Sequence, residues 1–215
     1  MAAEARGKLV LATFNQHKLI ELTRILQAGR VDVELVTLAE FPGAPDVAET
    51  GATFAENALL KAHAIAEFTG LAAVADDSGL CVDALNGMPG VLSARWSGKH
   101  GDDEANLWLV LGQLADVPDE RRGAQFACVA ALALPGGREH VSEGIVSGKL
   151  IRAPRGENGF GYDPIFVPAR AVLAAVGLPV TGQTTAEMDP TDKDTISHRG
   201  KALRGLAPVI AAFLG

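Results

Sequence analysis

Short apolar runs alternate with longer amphipathic stretches along the first third of the chain. The runs Lys8–Thr13 and Val31–Leu38 are typical of strands. Between them, Asn15–Gln27 predicts a helix with one apolar face, formed by Leu19, Leu22, Ile25 and Leu26. A second helix is predicted from Thr53, where a glutamate three residues later completes a capping box, to a stop at Gly70. This alternation predicts an α/β fold.

The next apolar run leads directly into two adjacent carboxylates. Leu71–Ala75 predicts a buried strand that stops at Asp76 and Asp77, and the Ser-Gly that follows predicts a turn before another strand at Leu80–Leu85. Ligands of open α/β sheets bind beyond the carboxyl ends of the strands, so such a turn would present carboxylates to a ligand. Side chains alternate along a strand, and we therefore expect the two aspartates to face different ways. The plain alternative is an exposed turn without chemistry.

The second half of the chain predicts a hairpin and two further helices. Ala124–Leu134 and Glu139–Ile151 flank a Pro-Gly-Gly turn and predict an antiparallel hairpin, which makes the sheet mixed. Asp102–Leu114 has acids in its first turn and an apolar stripe, and we assign this helix no chemistry. A final helix is predicted over Ser197–Leu214, with a kink or a break at 204–208 caused by a proline.

Composition narrows the class of protein. The chain has 215 residues, of which 48% are apolar and 21% charged, so we expect one compact unit, 1–215, with room for two lobes. A net charge of −7 argues against a broad nucleic-acid or anionic-membrane surface but allows a local basic pocket. Cys81 and Cys128 are predicted to be buried thiols of a reducing compartment. The first residues lack the apolar core of a secretory signal, and we expect a cytoplasmic protein without a membrane partner.

Several side chains near the predicted helix starts are suited to phosphate. The turn before the first helix leaves free backbone N–H groups, to which Thr13 and Asn15 add donors and Lys18 adds a point charge. Lys61 projects from the second helix and could pair with phosphate, and the loop before that helix holds Glu49. The alternative is that Asn15 only caps its helix and both lysines are solvated.

Arg155–Phe166, here called the aromatic loop, combines three glycines with Phe160 and Tyr162. Glycines let the backbone approach a flat ligand closely, while the rings offer stacking surface. Exposed N–H groups of such a loop could also recognise the edge of a base. The alternative is that both rings pack into the core.

Lys193, His198 and Arg199 lie close to the start of the final helix, where cations oppose the helix dipole unless an anionic ligand is bound. With the other segments they predict a nucleotide site, in which cations hold phosphates, carboxylates hold Mg²⁺ and the aromatic loop holds a base. The cations are Lys18, Lys61, Lys193 and Arg199, and the carboxylates are Glu49, Asp76 and Asp77.

Five sequence blocks in order also resemble those of the inosine triphosphate pyrophosphatases, or dITP/XTP pyrophosphatases. The blocks are ATFNQHK, ETGATFAENALLKA, ADDSGLCVDALNGMPGVLSAR, GFGYDPIF and ISHRGKAL. The resemblance runs from about Lys8 to Leu206. It implies an elongated mixed α/β sheet flanked by helices, two lobes with a central substrate cleft, and a homodimer. It also implies Mg²⁺-dependent hydrolysis of dITP, ITP, XTP and dXTP to monophosphate and pyrophosphate, which removes them from the nucleotide pool.

The same resemblance implies roles for individual residues. Asp77 would be the general base and a metal ligand, with Glu49 and Asp76 as further candidate ligands, and Ser78 would contact the substrate. The residues that would bind other parts of the substrate are Thr13, Asn15 and Lys18 for the triphosphate, Phe160, Gly161, Tyr162 and Asp163 for the base, and Lys193, His198 and Arg199 to complete the site. Whether Lys61 touches phosphate or only supports Asp77 stays open at this point.

The predicted chemistry is attack of water on the α-phosphorus, which needs a base, a metal and cations for the pyrophosphate leaving group. N–H donors facing the 6-oxo edge of hypoxanthine or xanthine would reject adenine, because they would be left unpaired. Three alternatives stay open: a nucleotide sensor without turnover, a phosphatase acting through an aspartyl-phosphate, and a hydrolase of a different nucleotide.

Overall fold

The computed structural model describes residues 7–13 and 16–214 and contains an α/β fold, as predicted. Its strands are β1 (Gly7–Leu11), β2 (Val33–Thr37), β3 (Ala72–Val82), β4 (Gly123–Ala133), β5 (Glu139–Leu150) and β6 (Phe166–Pro168). Its helices are α1 (Gln16–Ala28), α2 (Phe54–Thr69), α3 (Asp103–Gln113), α4 (Arg170–Ala175), α5 (Pro190–Ile196) and α6 (His198–Leu214).

The six strands form one sheet in the order β2-β1-β3-β4-β5-β6. β1 runs parallel to both β2 and β3, whereas β5 and β6 are antiparallel. β4 and β5 are neighbours joined by the short turn 134–138, a connection that only antiparallel strands can have. The predicted hairpin and the mixed sheet are therefore confirmed.

The chain divides into two compact units. The first comprises the described residues up to Asp77 together with Cys128–Gly144 and 199–214, and the second comprises Ser78–Ala127 and Ile145–His198. In the first unit Ala72 and Val74 of β3 belong to the core cluster that includes α1 and α6, while the alternate residues of β3 pack in the cluster that includes α2. Because side chains alternate along β3, Asp76 lies on the side of α1 and α6, and Asp77 lies on the side of α2.

One local prediction about the central stretch is wrong. β3 continues without a turn from Ala72 to Val82, so Asp76 to Gly79 are strand residues. Aspartate is disfavoured in strands, but here both carboxylates are bonded to distant side chains, which replaces the water that a turn would supply.

The predicted break in the final helix is also wrong. α6 passes through Pro208 as one helix. Proline removes the amide that would bond the carbonyl of Arg204, but both residues are exposed, so water can satisfy this carbonyl. The helices α4 and α5 were not predicted, and α5 contains Lys193.

The ends of α2 follow the prediction closely. The Thr53 side chain accepts from the backbone N–H of Glu56, and Gly70 ends the helix with φ +68°. The Glu56 carboxylate accepts from the N–H of Ala52, one residue before the cap. Cys128 is buried as expected, whereas Cys81 is only half-buried. Among the described helices none is both long and apolar enough to cross a membrane.

Candidate active site

Asp76 lies near the middle of β3 and is enclosed by two cations. Lys18 Nζ, from α1, donates to both carboxylate oxygens at 2.9 and 3.0 Å, and Arg199 Nε, from the first turn of α6, donates to Oδ2 at 3.1 Å. Burial raises the pKa of the Asp76 carboxyl, but the charges of Arg199 and Lys18 outweigh burial and hold this pKa well below its usual range. Asp76 is therefore an ionised anchor for two of the predicted phosphate-binding cations.

Arg199 explains why cations are tolerated at the start of α6. We predicted that an anionic ligand removes their conflict with the helix dipole. In the structure the Asp76 carboxylate provides an anion, and Glu21 adds a second one at 3.9 Å from the Arg199 guanidinium.

Asp77 faces the opposite side of the sheet, as the alternation along a strand requires. Asn57 Nδ2, from α2, donates to its Oδ2 at 3.0 Å, and Lys61 Nζ lies 3.6 Å from its Oδ1. Lys61 also donates to the Asp76 backbone carbonyl at 2.7 Å and to the Glu49 carboxylate at 2.8 Å. Lys61 thus joins the two carboxylates that we predicted as metal ligands on this side of the sheet.

Asn57 is a site residue that the sequence analysis did not single out. Its side chain is fully buried, and its Oδ1 accepts from Gly51 N–H at 2.7 Å while its Nδ2 holds Asp77. It therefore connects Asp77 to the loop that carries Glu49. Its position four residues before Lys61, on the same helix face, is the sequence signal that could have identified it.

The carboxylates do not form a preassembled metal cluster. Among residues 7–13 and 16–214 there is no group of three or more His, Cys, Asp or Glu side chains able to hold an ion. Both oxygens of Asp76 already accept from Lys18, whereas Asp77 and Glu49 meet at Lys61. Mg²⁺ is usually held by one or two carboxylates and completed by substrate phosphates, so the donor set of Asp77 and Glu49 fits this ion.

The second unit contains a separate group around Asp163 in the aromatic loop. This buried carboxylate accepts from Lys193 Nζ at 2.6 Å, from Thr185 Oγ1 at 2.7 Å and from the Phe160 N–H at 2.9 Å. Lys193 Nζ also lies 5.5 Å from the centroid of the Phe160 ring. Phe160 and Lys193 are therefore both set by the same buried acid.

The two aromatic residues of this loop have different environments. The Phe160 ring is 70% exposed, so its surface is open for stacking. The Tyr162 ring is buried, its hydroxyl donates to the Ser93 carbonyl at 2.9 Å, and burial, aided by the charge of Asp103, raises its pKa. Core packing, the alternative weighed for both rings, therefore applies to Tyr162 and not to Phe160.

The backbone donors that we expected to recognise a base are already bonded. Phe160 N–H donates to Asp163, and Gly161 N–H donates to Asp103 at 3.0 Å. In this conformation the polar group beside the exposed ring is instead the Lys193 ammonium.

The structure gives the positions of three further predicted site residues, and a fourth lies outside the described part of the chain. Thr13 follows β1 and is half-buried, Ser78 is half-buried in β3 directly after Asp77, and the His198 ring stacks on Phe126 with centroids 5.1 Å apart. Asn15 lies outside the described residues. The first unit thus brings together Lys18, Glu49, Lys61, Asp76, Asp77 and Arg199. The second unit brings together Phe160, Asp163 and Lys193.

Buried aspartates bonded to lysine, arginine and asparagine, on a mixed sheet flanked by helices, define an α/β protein with a carboxylate-based candidate site. Residues 9–209 match the model of the Ham1 family, and the chain belongs to this family. The family resemblance indicated by the five sequence blocks is confirmed.

Relatives match over nearly the whole chain. The dITP/XTP pyrophosphatase of Streptomyces coelicolor is 57% identical over 97% of this chain and 99% of its own length. The crystal structure of the nucleoside-triphosphatase, dITP/XTP pyrophosphatase, from Mycobacterium abscessus has a TM-score of 0.78 at 54% identity and covers 94% of this chain and 99% of its own. A HAM1 protein from Coxiella burnetii has a TM-score of 0.83 at 41% identity, covering 96% and 99%.

Proposed function

We propose that this protein hydrolyses dITP, ITP, XTP and dXTP to the nucleoside monophosphate and pyrophosphate, and so removes deaminated purines from the nucleotide pool. The observation that carries the proposal is the buried Asp77, which Asn57 orients and which lies 3.6 Å from the Lys61 ammonium. Relatives named dITP/XTP pyrophosphatase at 53–57% identity support the choice of substrate.

Asp77 and Glu49 are the residues proposed to hold Mg²⁺. When bound there, the ion would neutralise charge that develops on the phosphate oxygens. Lys61 lies within 3.6 Å of Asp77 and 2.8 Å of Glu49, so it keeps the two carboxylates from repelling each other.

Asp77 is the proposed general base. The hydrogen bond from Asn57 fixes the plane of its carboxylate, and the other oxygen, 3.6 Å from Lys61 Nζ, would take the proton of the attacking water. The water oxygen bonds to the α-phosphorus while the bond from this phosphorus to the bridging oxygen breaks. The electron pair leaves with pyrophosphate.

The proposed phosphate-binding residues are Lys18 and Arg199, with Thr13, Asn15 and Lys61 as further donors. Asp76 holds Lys18 and Arg199 in place through part of their donors, and other N–H groups of these two cations would bind the pyrophosphate leaving group. We accordingly assign Asp76 to positioning these cations and metal binding to Asp77 and Glu49.

The proposed base-binding residues are those of the second unit. The purine would stack on Phe160, and Lys193 Nζ would donate to the 6-oxo group, with Ser78, Gly161 and His198 as further contacts. Adenine presents an amino donor at the same edge, so the N–H that Lys193 would give to a 6-oxo group would face a donor and stay unpaired. Asp163 and Tyr162 support this arrangement from the buried side of the loop.

The test is a product assay with purified protein and Mg²⁺ on dITP, XTP, dGTP and dATP, quantifying pyrophosphate and orthophosphate separately. Pyrophosphate from dITP and XTP with little from dGTP and dATP is expected. Pyrophosphate from all four would refute the selectivity but not the mechanism, orthophosphate would favour a phosphatase, and tight binding without product would favour a sensor.

We also propose that the protein is a homodimer and that it is located in the cytoplasm. The dimer rests on the family resemblance, and sedimentation at several protein concentrations would test it. The location is supported by Cys81 and Cys128, neither of which is in a disulfide, as suits a reducing compartment, and fractionation of cells that express the protein would test it.

A further inference from the structure

The helix α3, to which the sequence analysis assigned no chemistry, is tied to the aromatic loop at its N-terminal end. Asp103 is the first residue of α3, and its Oδ2 accepts from the N–H of Gly161 at 3.0 Å, across 58 positions of sequence. An acid in the first turn is favoured by the helix dipole, so an ionised Asp103 is compatible with this end of α3.

The opposite end of α3 is tied to the strand that leads into the same loop. Arg122, which is fully buried, donates through Nη1 to the carbonyl of Leu114, the residue that ends α3, at 2.7 Å. Its Nε and Nη2 donate to the carbonyls of Leu150 and Ile151, at the end of β5, at 3.0 and 3.1 Å. The exit of β5 toward the aromatic loop is therefore fixed on the C-terminal end of α3.

The part of the loop that carries the exposed ring depends on polar contacts. Phe160 is 70% exposed, so apolar burial contributes little to holding it. Its N–H is bonded within the loop to Asp163, whereas the next N–H, that of Gly161, is bonded outside the loop to Asp103. Of these two contacts, only the one with Asp103 relates the tip of the loop to a rigid helix.

We propose that Asp103 is a positioning residue: through Gly161 it holds the aromatic loop in the conformation in which Phe160 and Lys193 receive the purine. This inference rests on the proposed function, because it deepens the account of base binding. The N-terminal end of α3 is bonded to the loop at Gly161. Its C-terminal end is joined through Arg122 to Leu150 and Ile151, just before the loop.

Asp103→Ala removes the acceptor, and Glu104→Ala is the matched control, because Glu104 is an exposed acid in the same first turn of α3. One hydrogen bond contributes about 0.5–1.5 kcal/mol, so the KM for dITP should rise about two- to tenfold in Asp103→Ala, with kcat little changed. Inhibition by pyrophosphate, which would bind the cations around Asp76, should be unchanged. Asp103→Asn keeps an acceptor oxygen and should restore most of the affinity.

A second readout does not depend on activity. Hydrogen exchange of the Gly161 amide should accelerate in Asp103→Ala and stay at the wild-type rate in Glu104→Ala. Equal KM values for Asp103→Ala and wild type, equal effects of the two alanine variants, or weakened pyrophosphate inhibition would each overturn the positioning role. If the Gly161 amide of Asp103→Ala exchanged at the wild-type rate, the hydrogen bond from Gly161 to Asp103 would not hold the loop. A wild-type protein that does not turn over dITP would refute the proposed function instead.

Discussion

Asparagine at position 76 would keep the shape of the side chain and remove the charge that Lys18 and Arg199 share. Removing one partner of a buried ion pair costs about 3–5 kcal/mol. Here the side chains of Lys18 and Arg199 are still 21% and 17% exposed, and asparagine retains one acceptor oxygen. We therefore expect Asp76→Asn to lower the free energy of unfolding by about 2–3 kcal/mol at neutral pH.

The loss should depend on pH in one direction. Because the pKa of Asp76 is lower in the folded chain than in the unfolded chain, its stabilisation is present above its ordinary pKa of about 3.8 and is lost as the pH falls toward the folded-state value. The difference between wild type and Asp76→Asn should thus be constant from neutral pH to about pH 5 and shrink below about pH 4.

Urea unfolding at a series of pH values measures this difference, and Asp46→Asn, in an exposed loop, is the control that should change stability by less than about 0.5 kcal/mol. The Mg²⁺ concentration for half-maximal activity should be unchanged in Asp76→Asn. A variant as stable as wild type that needs far more Mg²⁺ would refute the reasoning, because Asp76 would then be a metal ligand and not an anchor for cations.

Three further variants test other parts of the account. Phe160→Ala should raise the KM for dITP by about tenfold through lost stacking and leave the melting temperature unchanged, because the ring is exposed; a change in stability alone would contradict this. Tyr162→Phe should instead lower the free energy of unfolding by about 1 kcal/mol with little change in KM, because phenylalanine keeps the buried ring that packs under the loop. Arg122→Met should destabilise by about 3 kcal/mol, because two buried carbonyls and a partly buried one lose their donor, whereas the exposed neighbour Arg121→Met should be nearly neutral in urea unfolding.

The parts of the fold that sequence predicted well depend on local signals. α2 begins and ends where Thr53 and Gly70 predict, because caps act within one helical turn. The continuity of β3 could not be predicted, because the groups that make Asp76 and Asp77 acceptable in a strand come from other elements. Lys18 is 58 positions from Asp76, and Arg199 is 123 positions away.

For the candidate site too, the sequence indicates the residue types, whereas only the folded chain shows which of them are in contact. The sequence identified the charged residues of the site, because their residue types and spacing indicate phosphate and metal chemistry. It could not indicate that Lys18 and Arg199 share Asp76, or that the Gly161 N–H is bonded to Asp103. Tertiary structure decides which polar groups meet and which donors remain available to a ligand.

Hydrolysis of dITP in oxygen-18-enriched water shows which phosphorus the water attacks, and Asp77→Asn shows whether Asp77 directs that water. We expect the label in the monophosphate and not in the pyrophosphate, and a loss of turnover of about a hundredfold or more in Asp77→Asn. Label in pyrophosphate would place the attack on the β-phosphorus, and wild-type turnover by Asp77→Asn would remove Asp77 from the reaction; either result would contradict the account.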